Sequence, residues 1–396
     1  MKTKIRRSQL LVIGCFFGFF LFCLVWGLAQ PDRPSSAAEN RSLAQRPAMR
    51  RVVTDFGGFA RDFESYTADQ FPDREQLIGV YTALELAQGK KFARKAYCLQ
   101  GGWLLTKPTP TKPVDLSALQ QALAQAGALD RPLVWCVLPL KNEALYDLEP
   151  AYFSDETGET NKQALTAALA QAEGLTVIDA EAPLVTGTLA DREQYFYKTD
   201  FHWNARGAFA AAQEIARQLA GAGTIAETSV PQAEDFLWSE LGGERRYQGD
   251  LNVWFSNQFS MQEDIPRYVP KNAADLRYFL HPGDIESVPR ETIVGSGLDK
   301  DPVTYNDVFT YNLGYYRVEN PAAPEAASVL ILKDSFQNAT IDYLSAIFRS
   351  VTVVDPRSYQ ETPDLASLLD ADGIDLVLFF YHQNNVSREL IDFLSA

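Results

Sequence analysis

Short, continuously apolar runs alternate with stretches of helical period along most of this chain. The runs Val134–Leu138, Leu175–Asp179, Ala327–Leu332, Val351–Asp355 and Leu376–Phe380 are five or six residues long and rich in Val, Ile and Leu, the pattern of strands buried on both faces. Before, between and after them, Leu116–Ala126, Gln163–Ala172, Ala205–Ala220, Ile341–Phe348, Asp364–Leu369 and Ser387–Leu394 read as helices, with Asn204 as an N-cap for the third. The order predicts an α/β fold with a mostly parallel sheet and helices on both faces. Upstream, apolar residues at helical spacing from Phe56 to Lys91 predict helices interrupted near Pro72, and Ala96–Leu99 and Trp103–Leu105 flank Gly101-Gly102 like a short hairpin. Pro108–Pro113 reads as a loop. From about 230 to 325 the alternation breaks into scattered aromatics, Gly, Pro and short runs such as Val253-Trp254-Phe255, which predicts a β-rich insertion. Its aromatics can fill a core or stack on sugar rings.

The N-terminus follows a different pattern. Lys2, Lys4, Arg6 and Arg7 precede an uncharged apolar stretch from Ser8 to Gln30. A helix of roughly 20 apolar residues spans a bilayer, and its basic flank stays cytoplasmic. A membrane anchor with the rest of the chain outside is the expectation; a signal segment cleaved near Leu28-Ala29 or Ala37-Ala38 is the alternative. Residues 31–50, rich in Pro, Ser, Ala and Arg, read as a linker, and 51–396 as the α/β domain.

Composition narrows the function. The chain has 396 residues, 46% hydrophobic and 22% charged, with a net charge of −15. Such an acidic chain lacks the basic face that nucleic-acid binding requires. Cys15 and Cys23 fall in the apolar N-terminal segment, leaving Cys98 and Cys136 as a potential disulfide or, for Cys136 in an apolar run, a buried thiol. No Cys/His cluster has metal-ligand spacing, and neither a metal nor a cofactor is expected.

Two distant segments carry chemistry. Tyr197-Lys198-Thr199-Asp200-Phe201-His202-Trp203 contains one of only three histidines, the others being His281 and His382. Leu330-Ile331-Leu332-Lys333-Asp334-Ser335-Phe336 is an apolar strand that breaks into a polar turn at a serine. A serine hydroxyl becomes a nucleophile when a histidine takes its proton and a carboxylate holds the histidine tautomer. Ser335, His202 and Asp200 supply those three roles. Asn338 is a candidate oxyanion donor beside the Ser335 N–H, or else a solvent-facing helix residue. Arg357 follows a strand and would bind a carboxylate or form an ion pair. His382, after the last strand, lines the same sheet edge and is the alternative base. Asp334 reads as a helix cap, and His281 as a turn residue.

The flanks of these segments resemble a bacterial family. Lys198-Thr199-Asp200-Phe201-His202-Trp203 followed by Gly207-Ala208 is similar to the K-T-D-H-H-W…G-A signature of the DHHW proteins, relatives of the SGNH-hydrolase-like, alginate-type exopolysaccharide O-acetyltransferases. Glu39-Asn40-Arg41 with Leu43, Asp69-Gln70-Phe71-Pro72-Asp73-Arg74, Lys333-Asp334-Ser335-Phe336 and Asp355-Pro356-Arg357 resemble the family's other elements, in its order. Phe201 stands where the signature has its first histidine; the second is His202. The resemblance implies an SGNH-like fold in the cell envelope. It also implies acetyl transfer to a cell-surface polysaccharide, or esterase action on one, with a membrane partner delivering the acyl donor. A non-catalytic envelope-binding module with a degenerate triad is the reading from the opposite class, favoured by Phe201.

Overall fold

The computed structural model describes residues 7–36, 39, 41–93, 96–106, 115–149, 157–241, 245–359 and 364–395. The expected loop at 108–113 lies outside them. The chain divides into two compact units, one of residues 1–93 with 252–259, the other of 94–251 with 260–396.

The larger unit is built on a seven-stranded sheet. Its strands are β1 (Leu133–Val137), β2 (Leu175–Asp179), β3 (Arg277–Phe279), β4 (Tyr315–Glu319), β5 (Ser328–Lys333), β6 (Ser350–Val354) and β7 (Leu376–Phe380), in the order β3-β4-β6-β5-β7-β1-β2. β6, β5, β7, β1 and β2 are parallel, and β4 and β3 add an antiparallel edge. Leu330 of β5 sits opposite Thr352 on one side and Val377 on the other, so both edges of this strand are paired. Every residue of β5 is buried, and its alternate side chains enter two different cores. Val329 and Ile331 join the core beneath the helix α3 (Ala205–Gly221), while Leu330 and Leu332 join the one beneath α1 (Leu116–Gly127) and α2 (Thr157–Leu169). That two-sided burial is why these strands read as unbroken apolar runs. The buried face of α3 is mostly alanine, which lets the helix lie close to the sheet.

The stretch 230–325 is less strand-rich than its aromatics suggested. Phe236–Leu241 pairs antiparallel with Ile265–Pro270, and β3 and β4 belong to the central sheet itself. The run around Trp254, expected to alternate as a strand, lies in a helix, Asp250–Trp254. Tyr305, Tyr315 and Tyr316 are buried in the core. Cys98 and Cys136 are both free thiols, and Cys136 is fully buried.

In the smaller unit the apolar helix Arg7–Ala29 is followed by helices Phe56–Asp69 and Arg74–Ala87, with the break at Pro72. Its residues Gln9–Ala29 are long and apolar enough to cross a membrane. Residues 31–50 are tied to the helices by side chains. Arg41 makes a two-pronged pair with Asp69, and Arg74 donates to Glu39 (2.5 Å). The two short motifs around Glu39 and Asp69 are therefore partners of each other. The Arg41 hydrogen bonds hold the Asp69 carboxyl down to about 2.

Candidate active site

Strand β5 ends in the centre of the sheet, and the chain turns there at Asp334. The Asp334 carboxylate accepts from the Phe336 N–H (2.9 Å), the His382 N–H (2.7 Å) and Asn385 Nδ2 (2.9 Å). Burial pushes this carboxyl's pKa up, and those three donors act in the opposite sense. One side chain thus ties the serine turn to the segment after β7. Ser335 then opens a 3₁₀ turn, Ser335–Ala339, and the α-helix Ile341–Ile347 begins only after it. The sequence pattern starts that helix at the same Ile341 and leaves the residues between it and the serine unassigned. The 3₁₀ turn separates helix and serine, so local backbone N–H groups rather than a helix dipole face the nucleophile. Ser335 itself is half-buried between fully buried neighbours.

The second segment arrives just before α3. Asn204 caps that helix, accepting from the Arg206 and Gly207 N–H groups. A Cβ on Gly207 would stand 2.5 Å from the Tyr195 carbonyl, so the glycine of the G-A pair permits a close backbone approach. Trp203 Nε1 donates to the Phe336 carbonyl (3.0 Å), joining the histidine segment to the serine turn.

His202 Nδ1 donates to Asp200 Oδ1 (2.7 Å), and Ser335 Oγ donates to His202 Nε2 (2.9 Å). Asp200 is fully buried and His202 nearly so. The other Asp200 oxygen accepts from Tyr247 Oη (3.1 Å) and the Asp250 N–H (3.0 Å). Burial works to raise the Asp200 pKa, but the charge and N–H of His202, together with the backbone donors, bring it below its ordinary value. A carboxylate with four donors stays ionised and fixes the histidine tautomer. Tyr305 stacks on the His202 ring at 3.9 Å and 5°, and Phe201 packs at 4.0 Å. The ring is therefore held in position by its neighbours as well as by its hydrogen bonds.

The segment carrying Asp200 rests on a buried lysine and a half-buried glutamate that the sequence reading missed. Lys141 Nζ donates to the carbonyls of Leu104 (2.8 Å), Lys198 (3.0 Å) and Asp200 (2.7 Å). Glu263 accepts from the Lys198 and Thr199 N–H groups and the Thr199 hydroxyl. Burial pulls the Lys141 pKa down to about 7, while Glu263 and Asp200 hold it up. A lone lysine after the apolar run ending at Leu140 was a weak signal for such a role. Nothing local marked Glu263, Tyr247 or Asp250, which reach the site only through the tertiary fold.

The remaining candidates have other roles. Asn338 is buried rather than solvent-facing. Its Nδ2 donates to Asn306 and Asn312 (3.2 Å each), and its Oδ1 accepts from the buried Lys333, so its amide serves that cluster and not an oxyanion. Arg357 makes a two-pronged pair with Asp355. His382 stacks on Phe336 at 4.8 Å and 13°, and burial pulls its pKa down to about 3, which keeps it neutral. His202, not His382, holds the Ser335 hydroxyl.

A carboxylate, an imidazole and a hydroxyl stand in series at the carboxyl edge of a mostly parallel sheet, a constellation that hydrolases and acyltransferases of several folds share. Residues 106–275 match the family model of the SGNH hydrolase-like domain of acetyltransferase AlgX, in line with the relationship the motifs suggested. That region contains Asp200 and His202, and Ser335 lies beyond it. A search of curated proteins found no match. Among solved structures, Bacillus cereus PatB1 with a sulfonyl adduct is similar at TM-score 0.62 and 22% identity, over 74% of this chain and 95% of that one. A DHHW family protein from Eubacterium siraeum is similar at TM-score 0.57 and 17% identity, over 76% and 94%. At those identities the likeness establishes the fold.

Proposed function

We propose that this chain is a membrane-anchored, extracytoplasmic O-acyltransferase, with acetyl as the acyl group and a hydroxyl of a cell-surface polysaccharide as acceptor. The observation that carries the reading is the unbroken relay from Asp200 through His202 to Ser335, at 2.7 and 2.9 Å. The match to the AlgX acetyltransferase family model supports transfer rather than simple hydrolysis.

In this mechanism Ser335 Oγ attacks the carbonyl carbon of the acyl donor as its proton passes to His202 Nε2. The negative charge that develops on the carbonyl oxygen faces the Ser335 N–H, which as the first of its 3₁₀ turn has no acceptor within that turn. His202 protonates the leaving group, and the acyl group stays on Ser335. An acceptor hydroxyl then gives its proton to His202 and attacks the acyl-serine, and the collapse frees Ser335. Asp200 stays ionised throughout and stabilises the imidazolium. Acetyl-CoA is cytoplasmic, so a membrane partner would deliver the acetyl group.

Retention of the N-terminal helix as an anchor is supported by its contacts within the smaller unit. Arg46 Nη2 donates to the Leu28 carbonyl (3.1 Å), Cys23 is buried, and Gly27 faces Pro72. Cleavage at Leu28-Ala29 would remove these contacts.

The test is hydrolysis of an aryl acetate by the detergent-solubilised chain. Ser335→Ala and His202→Ala should each lower kcat by about 10⁴-fold or more while leaving the unfolding midpoint nearly unchanged. Undiminished turnover in either variant sinks the triad. A folded wild type with no turnover, even when its acyl donor is supplied by membranes, points to the binding-module reading.

A further inference from the structure

A cavity of about 860 Å³ opens between α2 and strands β1 and β2, and the relay makes no use of it. Val137 and Asp179, the last residues of β1 and β2, line it, so it lies at the same carboxyl edge of the sheet as Ser335. β1 and β2 stand two and three strands from β5, or about 10 and 14 Å at the usual strand spacing. The two regions are also joined structurally. The short helix Lys141–Ala144 offers Lys141 to the Asp200 carbonyl and Glu143 to the cavity. α2, which forms one wall, packs on the turn Gln383–Asn385 that follows His382.

The cavity lining suits a sugar. Its volume falls in the range of small-molecule sites, and an apolar surface with a few polar groups is how such sites orient a ligand. Val137 and Val177 supply apolar surface. Tyr146 stands at the cavity 60% exposed, its ring held from one side by the Arg192 guanidinium at 4.7 Å. An exposed aromatic whose position is fixed offers a flat apolar face to a sugar ring and a hydroxyl at its tip. The charge is acidic. Glu143, Asp179 and Glu181 line it together with Lys162, which pairs with Glu143 (2.7 Å) and Glu181, while the Arg192 guanidinium lies against Tyr146. The whole chain carries −15. An anionic uronate polymer would meet repulsion here, and a sugar bearing an ammonium group would meet attraction.

We propose that this cavity binds one sugar unit of the acceptor chain, remote from the unit being acylated, and that this unit carries a free amino group, as in a de-N-acetylated hexosamine. The proposal rests on the acyltransfer reading for the word acceptor. The binding it asserts is measurable without turnover.

The experiment is a calorimetric titration of the full chain carrying Ser335→Ala with a glucosamine tetramer, an N-acetylglucosamine tetramer and a tetragalacturonate. The glucosamine tetramer should bind at least about ten-fold more tightly than the acetylated one, the range expected for one charge-assisted hydrogen bond. The galacturonate should bind weakest. Adding Tyr146→Ala should weaken the glucosamine complex about ten-fold, and Tyr146→Trp should keep it, since either ring can stack. Glu143→Gln should narrow the preference for the amine. Equal binding of the amine and acetylated tetramers overturns the charge assignment, and undiminished binding in Tyr146→Ala overturns the site. Loss of the serine chemistry in the aryl acetate assay with intact glucosamine binding would sink the acyltransfer reading instead. Intact chemistry with no saccharide binding sinks this proposal alone.

Discussion

The serine turn and the histidine segment meet at one hydrogen bond, yet they are held in different ways. The serine turn grows out of a central strand and is secured by its own neighbour, Asp334, which binds the backbone two residues on and the segment following β7. The histidine segment has no strand beneath it. Its backbone hangs between a buried lysine and a half-buried glutamate from distant parts of the chain, Lys141 on its carbonyls and Glu263 on its N–H groups, with the Leu104 and Leu251 N–H groups on the Lys198 and Thr199 carbonyls. A nucleophile at a strand end is positioned by the sheet. The base depends on two distant side chains whose removal takes partners from several polar groups at once.

That contrast predicts where the molecule is weakest. Lys141→Met keeps roughly the length of the side chain but takes a donor from three carbonyls, of which that of Lys198 keeps the Leu104 N–H (2.9 Å). Leaving a buried acceptor unsatisfied costs about 1–3 kcal/mol, and the Asp200 carbonyl is among the three. Urea unfolding should show a stability loss of that size, and the remaining folded protein should turn over aryl acetate at least about ten-fold more slowly, because His202 loses its alignment. A midpoint unchanged in Lys141→Met would mean that Glu263, the α3 cap and the backbone hydrogen bonds from Leu104 and Leu251 hold the segment without the lysine.

The same contrast explains what was legible in the sequence. The parallel core could be read because β5, β6 and β7 are buried on both faces and so appear as unbroken apolar runs. Ser335 could be read because a polar turn interrupts such a run, and Asp200 and His202 because they are two residues apart. Tyr247, Asp250 and Glu263 were not legible. They sit 45 or more residues from their partners, in the stretch whose broken pattern suggested an insertion. Hydrogen bonds across such a separation leave no periodicity. The aromatics there misled for the same reason: Tyr305 is as apolar a signal as any core residue, and only the fold shows that its ring lies flat on His202.

Asp250 allows the electrostatic side of the comparison to be sharpened. Its carboxyl lies within 4.8 Å of Asp200 and His202. Burial first, and Asp200 second, push its pKa up from 3.8 to about 7, against the pull of His202. Below its unfolded pKa the group is protonated in both states, and its contribution to stability is fully present. As pH rises through the folded value near 7 that contribution is lost, because the unfolded chain releases the proton more readily. Asp250→Asn removes this dependence. Urea unfolding should therefore show the variant gaining on the wild type between pH 4 and pH 8, by about 1.4 kcal/mol for each pH unit over which only the folded Asp250 stays protonated. A constant difference across that range would show that Asp250 is ionised in the fold like an ordinary carboxylate.

The smallest expected effect isolates a single bond. Tyr247 is buried, its ring stacks on Tyr197 at 4.4 Å, and its hydroxyl donates to the Asp200 oxygen that does not face His202. Tyr247→Phe keeps the stacking and deletes that donor, while the Asp250 N–H still binds the same oxygen. One hydrogen bond to a carboxylate that keeps its other donors should be worth about 0.5–1.5 kcal/mol. The variant should thus lose roughly two- to ten-fold in kcat for aryl acetate with KM little changed, since the tyrosine acts on the orientation of Asp200 and touches no substrate. A loss as large as that of His202→Ala would place Tyr247 among the groups that the base cannot do without. No loss at all would show that the backbone donors and Lys141 alone suffice to hold Asp200, and the histidine segment would then be as self-sufficient as the serine turn.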